Sequence, residues 1–147
     1  METDLLDIWK DWSIENFDAN GAHIREQHLL NEDEVNEKIK EKKNVGVFFS
    51  QELAEKALHK AFNNAIIKNR VNCWANSPVY KKQPRLVISV PADDKVGYMY
   101  QVKDEKSVLY KECDCICMVF MKNKDKTEEP FYLYSAYPET EKKCVVL

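Results

Sequence analysis

The sequence predicts an α+β domain in which helices come first and an antiparallel sheet follows. Up to about residue 69, apolar residues recur at spacings of three and four, which is the period of an amphipathic helix. From about residue 85 onward, short runs rich in β-branched and aromatic residues alternate with polar turns. Helices followed by strands with short connections are typical of helices packed on an antiparallel sheet.

Length and charge limit the possible functions. A chain of 147 residues is long enough for one domain with its own core. A net charge of -3 gives no overall attraction for nucleic acid, so an RNA ligand would need a local basic patch. No apolar run has the length of a membrane span, and the acidic start Met1-Glu2-Thr3-Asp4 predicts no signal peptide.

The first half contains three predicted helical segments. Residues 3–17 have an amphipathic pattern, and the turn signal of residues 18–21 ends it. His23 to Lys43 is predicted as one helix, or as two with a joint near Leu30-Asn31. Ser50 is the predicted cap of a further helix that ends near Lys68-Asn69 and has the strongest periodicity of the chain.

The second half contains the predicted strands. A short apolar run at 45–49 precedes the Ser50 helix. The strand-like runs after that helix are residues 85–90, 96–100, 107–110, 115–121 and 131–136.

The cysteines give no sign of a disulfide framework. They are Cys73, Cys113, Cys115, Cys117 and Cys144. A framework usually has an even and dispersed set, whereas this set is odd and three members stand at alternate positions. The pattern favours reduced thiols in a reducing compartment, with 113–117 buried in a row on one strand face rather than curled around zinc.

Two of the three histidines, His23 and His28, lie five positions apart. Because an imidazole changes its protonation state near neutral pH, histidine is the usual general acid or base. Spacing alone is more typical of solvent-facing helix residues. The third histidine, His59, is interpreted as a partly exposed residue of the Ser50 helix.

The last predicted strand carries hydroxyl groups near its end. Since side chains alternate along a strand, Leu133, Ser135 and Tyr137 are expected on one face. Two hydroxyls would then stand side by side just before Pro138. The alternative is a strand with ordinary aromatic packing.

The tail Cys144-Val145-Val146-Leu147 matches the prenylation pattern C-a-a-X. Lys142 and Lys143 precede it, as in anchored proteins. Four-residue patterns also match by accident, and the signal has meaning only in a eukaryotic cell. A prenylated, membrane-associated adaptor without enzymatic activity is therefore the alternative function.

Together these stretches resemble the bacterial RNase A-like toxin domain found at the C-termini of CdiA-type contact-dependent growth inhibition proteins and other polymorphic toxins. Members open with Gly-Gly-His and a second histidine five positions later, similar to Gly21-Ala22-His23 and His28. A Phe-containing stretch that leads into a helix is matched by residues 48–54, and a later tryptophan by Trp74. The closing Thr-Ala-Tyr-Pro is similar to residues 135–138, so the resemblance covers about residues 20–138.

Three departures from the family pattern stand out. Ala22 replaces a glycine, and Ser135 replaces a threonine but keeps the hydroxyl. Lys38 falls near the place of a family arginine after a one-residue gap, and lysine keeps the charge but lacks the bidentate fork. These departures leave room for an inactive homologue that binds RNA or a partner without cutting.

The resemblance implies a curved, RNase A-like antiparallel sheet and a metal-free ribonuclease that uses no cofactor. The ribose 2'-hydroxyl would attack the adjacent phosphorus and leave a 2',3'-cyclic phosphate. His28 would be the general base or acid and His23 its support, with the reversed roles left open. Lys38 would neutralise the phosphate, while Ser135 and Tyr137 would donate hydrogen bonds to its oxygens or orient the histidine.

The expected organisation is an N-terminal helix or linker at 1–20, the toxin domain at 21–140 and a tail at 141–147. The resemblance also implies an RNA substrate, a cognate immunity protein over the cleft, and delivery into the target-cell cytoplasm. Membrane association is expected only if the tail is prenylated. Arg85, with the lysines between 38 and 43 and at 81–82, is a candidate basic surface for RNA.

Overall fold

A computed structural model describes residues 5–9, 11–19, 22–24, 28–29, 33–35, 37, 44–76, 84–92, 94–103, 107–122 and 131–139. The helices and strands are α1 (Leu5–Trp9), α2 (Ile14–Ala19), β1 (Asn44–Phe48), α3 (Gln51–Phe62), α4 (Ala65–Asn76), β2 (Arg85–Pro91), β3 (Gly97–Lys103), β4 (Ser107–Cys113), β5 (Cys115–Lys122) and β6 (Phe131–Glu139). This confirms the predicted α+β class. In these ranges, no helix has the length and apolar character needed to cross a membrane.

The first predicted helix is in fact two short ones. The Ser13 hydroxyl accepts from the backbone N–H of Asn16 at 3.2 Å, and the Asn16 side chain accepts from the N–H of Ser13 at 2.9 Å. This reciprocal capping starts α2 afresh after α1. In the segment predicted as helical from His23 to Lys43, the described helical positions are 24, 28, 33–35 and 37.

The Ser50 helix is also divided. Ser50 caps α3 as predicted, because its side chain accepts from the N–H of Leu53. A single helix ending near residue 69 is wrong, since α3 ends at Phe62 and α4 continues to Asn76. The side chain of Asn64 accepts from two N–H groups of the first turn of α4, at 2.9 and 3.3 Å, and so begins a new helix.

The strands form two three-stranded antiparallel sheets, ordered β1-β3-β4 and β2-β5-β6. All five predicted strands are present, and the apolar run at 45–49 supplies β1. Strand β6 contacts both sheets, because it pairs with β5 and also packs against β1 and β3. The two sheets therefore meet along β6.

The main core lies between the helices and the β2-β5-β6 sheet. Trp9 is 1% exposed, and its ring lies 5.5 to 6.2 Å from four phenylalanine rings of other elements, Phe17, Phe62, Phe120 and Phe131. Burial of each such side chain contributes about 1.5–3 kcal/mol to stability. The N-terminal segment thus supplies part of this core through α1 and α2.

A bulge changes the face pattern of β6. The pairing of β6 with β5 shifts by one residue at Tyr134. Side chains before and after Tyr134 therefore do not alternate regularly between the two faces of the sheet. Leu133 belongs to the main core with Ala136, so the expectation that it shares a face with Ser135 is wrong. Beyond the bulge, Ser135 and Tyr137 are two residues apart and share a face as predicted.

The cysteine predictions need two corrections. Cys113, Cys115 and Cys117 are buried, but Cys113 ends β4 while the other two lie on β5, so they do not form a row on one strand. Cys115 is disulfide-bonded to a partner outside the described residues, whereas Cys73, Cys113 and Cys117 are free thiols. The expectation of reduced thiols is therefore wrong for Cys115.

Candidate active site

His28 lies half-buried beside strand β1, and its ring makes a hydrogen bond that defines its chemistry. Nδ1 is 2.7 Å from the backbone oxygen of Gly46. A carbonyl oxygen can only accept, so Nδ1 carries the proton and donates it. In the neutral ring, Nε2 is then the basic nitrogen, which is the form that a general base requires.

Gly46 is needed where β1 meets β6. An ideal Cβ on Gly46 would lie 2.6 Å from the backbone oxygen of Pro138, which cannot swing away. On the neighbouring strand, a Cβ on Gly97 would lie 2.1 Å from the backbone oxygen of Val47 and 2.6 Å from Pro138 Cγ. Two residues without side chains therefore let Pro138 approach the first sheet, and this brings the end of β6 beside the strand that holds His28.

Tyr137 stands next to His28 at this junction. The two ring centroids are 5.1 Å apart, with planes inclined by 33°. Burial, and then a side-chain hydrogen bond with Cys117, raise the pKa of Tyr137 above its ordinary value, whereas Arg85 lowers it. Cys117 lies directly opposite Tyr137 in the ladder. Because the shift is upward, the phenol stays protonated at neutral pH and retains a proton to donate.

Ser135 presents a hydroxyl group with unused bonding capacity. The residue is 4% exposed, and its Oγ is buried without a hydrogen-bond partner among the described residues. A buried hydroxyl left in this state costs about 1–3 kcal/mol. Such groups are uncommon in native structures and call for an explanation, which a functional role would supply.

His23 contacts a different part of β6. Its backbone N–H donates to the carbonyl oxygen of Tyr134 at 3.0 Å, and its ring lies 5.3 Å from the Tyr134 ring at 68°. The structure therefore brings both predicted histidines against the closing strand. His23 lies at the bulge and His28 at the Tyr137 end.

The predicted cation Lys38 lies outside the described residues, as do the lysines at 40, 42, 43, 81 and 82. Arg85, from the same predicted basic surface, is described and exposed at the start of β2. Its charge acts on Tyr137, where it opposes the upward pKa shift. In the sheet, Arg85 lies opposite Met121, which in turn pairs with Tyr132 near the start of β6.

The remaining histidine has a structural contact. Nε2 of His59 lies 2.6 Å from the backbone oxygen of Trp12, so α3 is tied to the segment between α1 and α2. The interpretation of His59 as a partly exposed helix residue is confirmed. Over the described ranges, no group of three or more His, Cys, Asp or Glu side chains is arranged to hold a metal ion.

The histidines on one side and the closing strand on the other delimit the region that a known family shares. The family model for the bacterial CdiA-CT RNase A domain matches residues 22–138. The chain belongs to this family. The predicted resemblance to an RNase A-like CdiA toxin domain is thus confirmed, and the matched range spans all five predicted site positions.

A solved structure supports the same architecture. The crystal structure of a CdiA-CT/CdiI complex from Y. kristensenii matches with a TM-score of 0.64 and 14% identity. The match covers 81% of this chain and 99% of that one. At this identity the likeness shows the fold alone. A comparison with curated proteins finds no match.

Two contacts of the CdiA-CT RNase A site escaped prediction from sequence. Gly46 orients His28 through its carbonyl group, and Cys117 lies directly opposite Tyr137 in the ladder. A glycine inside an apolar strand does signal a close backbone approach, so Val45-Gly46-Val47 carried a hint of the first. The second depends on the register of β5 against β6, which no local pattern encodes.

Proposed function

We propose that this chain is a metal-independent endoribonuclease toxin that cleaves RNA by internal transesterification. The observation that carries the proposal is the position of the His28 ring between the Gly46 carbonyl and the Tyr137 ring. This position places an imidazole of defined tautomer beside a protonated phenol. The chain also belongs to a family of RNase A domains. Proton transfer and stabilisation of charge on phosphorus are what this reaction needs.

In the proposed reaction, Nε2 of His28 removes the proton from the ribose 2'-hydroxyl. The 2'-oxygen forms a bond to phosphorus, the bond from phosphorus to the 5'-oxygen breaks, and that oxygen leaves with a proton from an acid. The products are a 2',3'-cyclic phosphate and a 5'-hydroxyl. His28 could equally supply the leaving-group proton, in which case His23 or solvent would take the first one. His23 is otherwise a supporting residue.

The charge that develops on the non-bridging oxygens needs donors. Tyr137 and Ser135 are proposed to supply hydrogen bonds, and Lys38 a positive charge. The unpartnered Oγ of Ser135 supports this, because a bond to substrate would satisfy a group that lacks one in the free protein. Arg85 is proposed to help hold the RNA backbone, in keeping with its exposed position at the start of β2.

A ribonuclease toxin has to be neutralised in the cell that makes it. The solved relative with the same fold is a CdiA-CT/CdiI complex. We infer that this chain likewise has a cognate immunity protein, which covers the candidate active site at His28 and β6. Its site of action would be the cytoplasm of the target cell, where RNA is available.

The prenylated adaptor is not retained as a second function. The tail from residue 140 onward lies outside the described residues. The matched family is bacterial, whereas C-a-a-X prenylation belongs to eukaryotic cells.

The test is to incubate the purified chain with a defined RNA in the presence of excess EDTA. The expected result is cleavage at the rate seen without chelator, with 2',3'-cyclic phosphate and 5'-hydroxyl ends. The His28→Ala variant, shown to be folded by circular dichroism, should leave the RNA intact. Loss of cleavage in EDTA, or ends that carry a 5'-phosphate, would refute the proposal.

A further inference from the structure

An exposed aromatic group directly follows strand β1, which contains Gly46, and takes no part in the contacts of the candidate active site. Among the described residues, the large apolar side chains that are more than a third exposed are Phe49, Val87 and Ile66. Phe49 differs because its ring meets a second aromatic ring, that of half-buried Tyr98. Their centroids are 4.7 Å apart at 77°, and the Tyr100 ring follows at 6.2 Å from Tyr98.

The backbone holds this group in a fixed place. Phe49 directly follows β1, and its N–H donates to the carbonyl oxygen of Val96 at 2.9 Å, which continues the pairing with β3. Phe48 is buried in the main core. Because side chains alternate, Phe49 points to the opposite face, where Val47 and its ladder partner Tyr98 also lie.

The distance from the candidate active site suits an RNA chain. Gly46, whose carbonyl group orients His28, is three residues before Phe49 on the same extended segment. At about 3.3 Å per residue, the two backbones are about 10 Å apart. Because β6 packs on the Gly46 face of β1 and Phe49 points to the other face, a single strand with its scissile phosphate at His28 would pass the edge of β1 to bring a base one or two nucleotides away to Phe49.

We propose that Phe49 and Tyr98 form a stacking subsite for a nucleobase of single-stranded RNA that flanks the scissile phosphate. This rests on the ribonuclease function proposed above and names the substrate class as unpaired RNA. Every base has a π-face, so aromatic stacking binds single strands with little regard to sequence. A T-shaped contact uses the edge of one ring, which leaves ring faces outside that contact for a base.

Binding to a strand that cannot be cut separates this proposal from the catalytic one. The probe is a fluorescein-labelled single-stranded 2'-deoxyoligonucleotide of mixed sequence, which lacks the attacking hydroxyl, and the readout is anisotropy. Phe49→Ala and Phe49→Leu should bind about tenfold more weakly, while Phe49→Trp should bind as well as the parent. Ile66→Ala removes an exposed apolar side chain from α4 and should change nothing.

A second readout connects the subsite to turnover. Phe49→Ala should lower kcat/KM on a ribo-oligonucleotide by a similar factor, since the same base would stack on Phe49 during turnover. If the parent chain cuts no RNA but Phe49→Ala still weakens binding of the deoxy probe, the catalytic proposal fails and the subsite stands.

Three results would overturn the subsite. One is equal binding of the probe by Phe49→Ala and the parent. Another is that Phe49→Trp weakens binding of the probe as much as Phe49→Ala does, which would mean that Phe49 acts through packing and not through stacking on a base. The third is unchanged RNA binding in Phe49→Ala together with weaker capture of the cognate immunity protein, which would make this face a protein contact. Equal thermal midpoints for all variants would show that any difference in binding is not caused by unfolding.

Discussion

His23 and His28 both lie against strand β6, but they are held in different ways. His23 is fixed by its backbone, whose N–H donates to the Tyr134 carbonyl group, and its ring meets Tyr134 edge to face. His28 is fixed by the ring itself, whose Nδ1 donates to the Gly46 carbonyl group. Each histidine has a tyrosine neighbour, and burial raises the pKa of the one beside His28, Tyr137.

The difference favours His28 over His23 for the proposed proton transfer. A carbonyl group on Nδ1 selects the tautomer that is basic at Nε2 and also orients the ring plane. Two histidines five positions apart look equivalent in sequence. Their contacts in the folded chain differ, with Tyr134 for His23 and with Gly46 and Tyr137 for His28.

The largest expected effect separates the two histidines directly. His28→Ala should reduce kcat/KM on RNA by about 10²–10⁴-fold, the usual contribution of a positioned acid or base. His23→Ala keeps its backbone bond to Tyr134 and should lose at most about tenfold. Single-turnover cleavage of one labelled RNA measures both. A larger loss in His23→Ala would reverse the assignment.

The tyrosine neighbours provide the next comparison. Tyr137→Phe keeps the ring beside His28 but removes the phenol hydroxyl, and should lower kcat by about 10²-fold, as loss of one transition-state donor does. Tyr134→Phe is the matched control next to His23 and should have little effect. Similar losses in the two variants would mean that Tyr137 has no special part in the chemistry.

The carbonyl that orients His28 is tested through its own residue. Gly46→Ala places a Cβ against the Pro138 carbonyl oxygen and should reduce the free energy of unfolding by about 1–3 kcal/mol. The folded fraction should also cleave more slowly, because β1 shifts beneath His28. Urea unfolding gives the first quantity and activity per folded molecule the second. A destabilised variant with full specific activity would show that the carbonyl is dispensable.

A smaller effect is expected at Ser135, with opposite signs for stability and activity. Since its Oγ is buried without a partner among the described residues, Ser135→Ala should leave the thermal midpoint unchanged or raise it. Cleavage should fall about tenfold if the hydroxyl bonds the phosphate in the transition state, as one neutral donor does. Ser135→Thr, which keeps the hydroxyl, is the control and should retain activity. Loss of stability without loss of activity would assign Ser135 to the fold alone.

The smallest expected effect concerns pH. In Tyr137→Phe, the shape of the pH profile of kcat/KM should stay the same. The pKa of Tyr137 is raised, so its proton stays in place as the pH rises through the ordinary titration range of tyrosine. The alkaline limb of kcat/KM should then come from other groups, and Tyr137→Phe should lower the profile without moving that limb. Disappearance of the limb in Tyr137→Phe would contradict the raised pKa.

Much of this fold follows from local sequence signals. Ser50 marks the start of α3 through its capping hydroxyl, and alternation marks the strands. The wrongly predicted helix boundaries have local causes as well. Asn64 begins a new helix inside a continuous apolar pattern, because its side chain competes with the helix for backbone N–H groups.

The sequence predicts residues for the candidate site but not the contacts among them. His28, Ser135 and Tyr137 came from short patterns at the two ends of the chain. The bulge at Tyr134 and the register that sets Cys117 opposite Tyr137 arise only when strands distant in sequence pair. A main-chain carbonyl group such as that of Gly46 has no residue-type signature, so its partnership with His28 required the structure.

The most direct test of the central claim compares the titration of His28 with catalysis. NMR of the histidine rings, labelled with ¹⁵N, gives the tautomer and titration curve of His28, and kcat/KM is measured over the same pH range. We expect a neutral His28 protonated at Nδ1 and a limb of the rate profile that coincides with its titration, in the parent and in His23→Ala alike. A neutral His28 protonated at Nε2, or a rate profile with no limb at its titration, would contradict the account.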